Sequence, residues 1–301
     1  MFKTLVVALD LEDDGDRALA VVEALAKQAP VRVDLITVSA PGMPTAADAY
    51  ELERRALRHG WDSDSWTIVH DIDAAAGIVE HAARRSAPML VMATSARRPM
   101  SSSVFGSVTR EVLRRSQVPV LLIGPGVPED HAPASSSLVV GVDGEATDVS
   151  SVPAIVSWQA TFGNRPPHLV EVIGPFDDDK PAQRRLDDVA ADLAERDVRT
   201  AKHIVIADDP IVGLDDAAAN LDDPVYVAVS ARYTDGRLHW HSTTQRLVAH
   251  ARYPVLVVPA RALPAPELPQ PAPAGIEEHC PFHDRTTAAR VAEPATASPT
   301  A

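Results

Sequence analysis

A single cysteine, Cys280, stands in 301 residues. That scarcity excludes an internal disulfide and fits a reducing compartment. Aromatic residues supply 4% of the chain against 46% hydrophobic overall, so a core has to be built from Ala, Val, Leu and Ile. No apolar stretch is long enough for a transmembrane helix. Basic residues are the minority, 28 Lys and Arg against 42 Asp and Glu, for a formal net charge of −14. So acidic a chain lacks the basic footprint for non-specific binding to nucleic acid or to an anionic membrane surface. The opening MFKTLVVALDLEDD turns acidic after a short apolar run, unlike a secretory signal. The cytoplasm is the expected compartment.

What the chain does have is itself, twice. Residues 92–123 align without a gap on residues 227–258, an offset of 135. Nine of 32 positions are identical, among them Ala93/Ala228, Ala96/Ala231, Ser107/Ser242 and Pro119/Pro254. Chance gives about 2–3, so the spacing reads as a duplicated domain. The starts agree too: Leu5–Asp10 matches Leu138–Asp143, each an apolar run ending in Asp. Runs of that kind suit strands buried on both faces of a parallel sheet.

Within the first copy, strands are expected at 4–9, 32–38, 66–70, 88–93 and 118–123, alternating with helices near 16–28, 46–59, 74–86 and 107–116. Pro30 and Gly60 mark helix ends. The second copy repeats strands near 138–142, 168–173, 202–206, 224–228 and 253–258, and Pro153 is expected in the first turn of its first helix. Such alternation means βαβ units with right-handed crossovers. The expected fold is α/β: two tandem Rossmann-like domains at 1–125 and 137–261, each a five-stranded parallel sheet flanked by helices. A Pro/Ser/Gly-rich linker at 126–136 joins them, and a disordered Pro/Ala-rich tail is expected at 262–301. The closing strands VPVLLI and YPVLVV are apolar edges that can pair with each other, making an intramolecular pseudo-dimer. A further homo-dimer is left open.

The opening strand ending in Asp10 or Asp143, the strand–loop–helix at 88–116 and the closing strands resemble universal stress protein domains. The resemblance covers roughly residues 2–125 and 137–260. It implies a nucleotide site at the carboxyl ends of the strands, where open α/β sheets hold ligands. In nucleotide-binding members the loop reads Gly-x2-Gly-x9-Gly-Ser/Thr. Carried over, that pattern stands as Ala93, Ala96 and Gly106-Ser107 in the first half, followed by Val108, and as Ala228, Ala231 and His241-Ser242 in the second. The spacing survives; two of the three glycines are replaced in one copy and all three in the other. The resemblance also assigns Asp10 and Asp143 to the nucleoside end, and Val38 and Val172 to the strand that faces adenine.

Each assignment has a plainer reading. An alanine methyl keeps the backbone away from a phosphate, and at positive φ alanine costs about 1–2 kcal/mol. Ser101–Ser103, Arg97 and Arg98 serve a phosphate or an ordinary solvated loop. Asp10 and Asp143 bond a nucleoside or cap the next turn, beside the acidic run Leu11–Asp14. Ser242-Thr243-Thr244-Gln245 reads as a capping box without any ligand. His239/His241 and His279/Cys280/His283 are too few and too unsupported for a metal site. No Ser/His/Asp order, metal quartet or general-base motif argues for catalysis. The expectation is therefore a non-enzymatic stress-response protein that acts on unidentified protein partners, with weak adenine-nucleotide (ATP) binding in the first half. The alternative is an ATP-binding switch in that half.

Overall fold

The computed structural model describes residues 1–11, 16–43, 45–94, 106–128, 131, 137–143, 148–163, 165–221, 224–230, 232–234, 237–239 and 242–259. The first half alternates β1 (Thr4–Ala8), α1 (Asp16–Gln28), β2 (Arg32–Ser39), α2 (Ala46–Arg58), β3 (Trp66–His70), α3 (Ala74–Ala83), β4 (Pro88–Ala93), α4 (Ser107–Arg115) and β5 (Val120–Ile123). The second follows with β6 (Leu138–Gly141), α5 (Asp148–Phe162), β7 (His168–Ile173), α6 (Asp179–Ala194), β8 (Ala201–Ile206), α7 (Pro210–Ala218) and β9 (Val225–Ser230). A short hairpin, β10 (Arg232–Thr234) and β11 (Arg237–His239), then α8 (Ser242–His250) and β12 (Val255–Pro259) complete it.

One ten-stranded sheet runs β3-β2-β1-β4-β5-β12-β9-β6-β7-β8. Each half contributes five parallel strands, and the order of the second mirrors that of the first. The halves meet where β12 pairs antiparallel with β5, Val255 opposite Leu122 and Val257 opposite Val120. Apolar alternation explains the layers. On β1, Leu5 and Val7 join α1 and α2 in a core that extends beneath α5 and α6, while Val6 faces α3 and α4, whose core continues beneath α7 and α8. Period-two side chains on a strand buried on both faces demand this.

The segment between the halves is packed where it is described. Val127 is buried in the core, and buried His131 meets Tyr253 edge to face. Gly124 and Gly126 leave room for the carbonyls of Val248 and Ala251 on α8 and just beyond.

Two sequence expectations need correction. α5 begins at Asp148, so Pro153 lies in its second turn and removes the bond to the Val149 carbonyl. Complete burial of Ile155 and Trp158 holds the helix regardless. β9 runs on to Ser230 rather than ending at 228, because β12 extends opposite it as far as Pro259. The expected disordered tail, and with it Cys280, lies outside the described residues.

The acids that interrupt β2 and β7 each find a cation. Asp34 meets His81 at 2.8 Å and Arg85 at 2.6 Å. Glu171 is gripped by Arg185, whose Nε donates at 3.0 Å. On β7 and its neighbour β8, the edge strand of the second half, His168 and His203 stack with Nδ1 and Nε2 2.9 Å apart. Burial, and then the neighbouring His203, push the His168 pKa below the ordinary 6.5. The folded state thus binds fewer protons at His168 than the unfolded one, so the contribution of His168 is present above about pH 6.5 and is lost as pH falls below it. Denaturant titrations from pH 7.5 to 5 should show that decline, and a His168→Gln variant should flatten it.

Candidate functional site

In a strand order of 3-2-1-4-5 the chain changes direction between β1 and β4, and open α/β sheets hold ligands in the crevice past the carboxyl ends of such strands. Asp10 lies two residues beyond β1 and is exposed; Ala93 ends β4 and is half-buried. The approach to Asp10 is fixed locally. The Leu9 N–H donates to the Ile36 carbonyl at 2.8 Å, and buried Thr37 donates from Oγ1 to the Leu9 carbonyl at 3.0 Å. Beyond β4, the N–H of buried Thr94 donates to the Ile123 carbonyl at 2.9 Å. Thr37 and Thr94 were missed by sequence reasoning. Their signal is a hydroxyl at the end of a run otherwise buried on both faces.

The helix starts of the chain differ in how they are capped. Asp73 caps α3, accepting from Ala75 and Ala76 at 3.1 and 3.2 Å. Asp178 caps α6 and Asp209 caps α7. α2 has no side-chain cap but carries Asp48 in its first turn. α4 has neither: it starts at Gly106 with no side-chain cap bond and no acidic residue in its first turn. A Cβ placed on Gly106 meets nothing within 4 Å among the described residues. Ser107 and Val108 open the helix, both exposed. With φ of −59° Gly106 needs no glycine conformation; what its missing side chain supplies is access. The uncapped N–H groups and the dipole of such an end favour an anion.

Arg115 closes α4 and donates to Asp73 Oδ2 at 2.6 Å, holding that carboxyl below its usual range. In the second half Arg246 on α8 pairs with Asp209 in the same manner, so both third helices are tied to the last helix of their half.

The remaining expected site residues are placed unevenly. Val38 is penultimate in β2 opposite Val69, with its side chain turned toward α3. Val172 is penultimate in β7, and α7 lies so close that a Cβ on Gly213 would come within 2.6 Å of it. Asp143 is exposed two residues past β6. Ala96, Ala231, His241, the acidic residues Glu12–Asp14 and the Arg97–Ser103 stretch lie outside the described residues, as does the side chain of Ser242, whose backbone opens α8. The second half departs most at the phosphate loop. Ala228 is inside β9, and β10 and β11 pair antiparallel, Thr234 opposite Arg237, where a loop was expected. The two residues between them read Asp235-Gly236, a pair suited to two-residue hairpin turns, and that signal was legible. Among the described residues no group of three His, Cys, Asp or Glu is placed to hold a metal ion, and no helix is long and apolar enough to cross a membrane.

Residues 1–124 match the model of the universal stress protein family. No curated protein matches the chain. A universal stress protein from Archaeoglobus fulgidus is similar over 86% of this chain and 98% of its own, at 14% identity and TM-score 0.61. A functionally unknown protein from Pseudomonas aeruginosa is similar over 86% and 92%, at 15% identity and TM-score 0.60. At these identities the likeness is one of fold: the two-half α/β architecture occurs in other chains.

Proposed function

We propose that this chain is a tandem universal stress protein that acts by binding rather than by turnover, with one working nucleotide site, in its first half, and a degenerate copy in its second. The start of α4 at Gly106, with no side-chain cap and no acidic residue in its first turn, carries the reading. A helix end with no side-chain cap among the described residues suits the phosphate of an adenine nucleotide, and Asp10 suits the ribose hydroxyls. In the second half the hairpin occupies the stretch of sequence that such a loop needs. The absence of a catalytic motif from the sequence supports a role exercised through protein partners.

Thermal unfolding with and without Mg-ATP tests the site. Saturation at a hundred times the dissociation constant adds about 2.7 kcal/mol of apparent stability. The shift should vanish in Asp10→Ala. It should also vanish in Gly106→Asp, whose carboxylate would cap α4 and repel phosphate while raising the stability of the free protein by about 0.5 kcal/mol. Lost binding together with a gain in stability separates a ligand site from a structural turn. No shift at millimolar nucleotide in the unmodified protein overturns the nucleotide site and leaves partner binding alone.

A further inference from the structure

At the amino ends of β2 and β3, the end of the first half away from Asp10, lies a cleft of about 580 Å³. That volume is in the range of small-molecule sites, about 300–1,000 Å³. Its walls come from the last turns of α1, the entry to β2 and the turn that follows α2. The turn is built by sequence. Gly60, at φ 72°, reverses the chain after α2, and the Trp61 N–H donates back to the Ala56 carbonyl at 3.0 Å. This helix stop needs an apolar residue after the glycine. In the second half Val198 follows Asp197 (φ 59°) and donates to the Leu193 carbonyl at 3.0 Å in the same way. A valine therefore suffices for the turn. Trp61 brings a large aromatic surface beyond that need, half-buried and lining the cleft, with His59 stacked on it at 5.0 Å.

The charges of the cleft do not cancel. Glu23 is satisfied by Lys27 and by His59 Nδ1 at 2.6 Å, and the Lys27 bond followed by the His59 bond holds its carboxyl below the ordinary range. Arg32 donates to the backbone carbonyl of Asp64 at 3.3 Å and so positions the loop without neutralising a carboxylate. The Asp62 carbonyl accepts from the Ser65 N–H and hydroxyl, at 3.0 and 2.6 Å, which shapes the same loop. The carboxylates of Asp62 and Asp64 are exposed and have no cationic partner among the described residues. The cleft thus offers an indole, an apolar floor of Ala26, Val31 and Val33, and the carboxylates of Asp62 and Asp64 against the one guanidinium of Arg32, a net negative charge once Glu23 and Lys27 pair. Aromatic faces and carboxylates together recognise organic cations.

We infer that this cleft binds a small organic cation, an amine or quaternary ammonium carrying an apolar or aromatic body. The site is independent of the nucleotide crevice.

The test is calorimetric titration of the full chain with benzyltrimethylammonium, and with benzenesulfonate as an anion of similar size. Saturable binding of the cation at one site per chain is expected, with none of the anion. Trp61→Leu, which keeps the apolar contact of the turn, should weaken binding about tenfold, equivalent to about 1.4 kcal/mol. The double variant Asp62→Asn/Asp64→Asn should weaken it by at least as much and remove its salt dependence. Asp10→Ala should leave it unchanged, so failure of the nucleotide site and failure of this one are distinguishable. Absence of saturable cation binding overturns the inference. So does binding indifferent to all three substitutions in folded variants, or a preference for benzenesulfonate.

Discussion

Replacing Gly124 with alanine should destabilise the protein by about 3 kcal/mol or more, among the largest effects of any single methyl group added to this chain. Gly124 follows β5 directly, and a Cβ there would sit far inside van der Waals distance of the Val248 carbonyl oxygen. Backbone cannot swing aside as a flexible side chain does. Val248 is itself fully buried on α8, so relief means lifting α8 from the sheet beside the β5–β12 junction. Gly126 faces the Ala251 carbonyl at 2.6 Å and reinforces the constraint. For a protein of this size such a loss lowers Tm by about 6–12 °C. The control is Gly106→Ala, where the new methyl meets nothing within 4 Å, and which should shift stability by less than about 1 kcal/mol. Equal effects at the two positions would mean that α8 and β5 are not packed as described.

Asp34→Asn should cost a comparable amount, about 3 kcal/mol, for an electrostatic reason. Asp34 is 1% exposed in β2, with His81 at 2.8 Å and Arg85 at 2.6 Å. Removing one member of a buried charged cluster leaves the others desolvated and unpaired. Replacing Asp34 and His81 together by apolar residues of similar volume should recover part of the loss. The pH dependence supplies a second readout. Burial alone would raise the Asp34 pKa, but the bond and charge of His81 and the charge of Arg85 outweigh it and leave the carboxyl below its usual 3.8. A depressed carboxylate stabilises above its unfolded value and loses that contribution as pH falls below it. The gap between wild type and variant, measured by denaturant unfolding, should therefore shrink as pH drops from 5 toward 3. A constant gap would assign the cost to packing.

These two features also mark how far the sequence could be read. The alternation of apolar runs with helical spacing was enough to place β3 at 66–70 and β7 at 168–173, even though β3 is a half-buried edge strand. The pairing of VPVLLI with YPVLVV was legible as two apolar edges without another partner. Asp34 and His81 were not read, although an acid inside the run RVDLITV signals a buried cation. The steric role of Gly124 was out of reach, since nothing local shows which backbone will pass over a glycine. At the candidate site, Asp10 and Gly106 are assigned by the family resemblance, which carries its loop pattern onto these positions. The bareness of α4 emerged only against Asp73, Asp178 and Asp209. Trp61 was passed over because its surplus shows only beside Val198.

The antiparallel meeting of β5 and β12 has a consequence for valency. Every strand of the first half runs one way across the sheet and every strand of the second runs the other. The crevice past β1 and β4 therefore opens on the opposite rim from its counterpart past β6 and β9, and the Trp61 cleft shares a rim with that counterpart. A flat partner surface that approaches one rim meets the leading ends of one half and the trailing ends of the other. It cannot grip the ends of both halves in the same way at once, so the presence of two halves does not double the avidity for one surface. It gives the chain two unlike faces, each free to recognise something different.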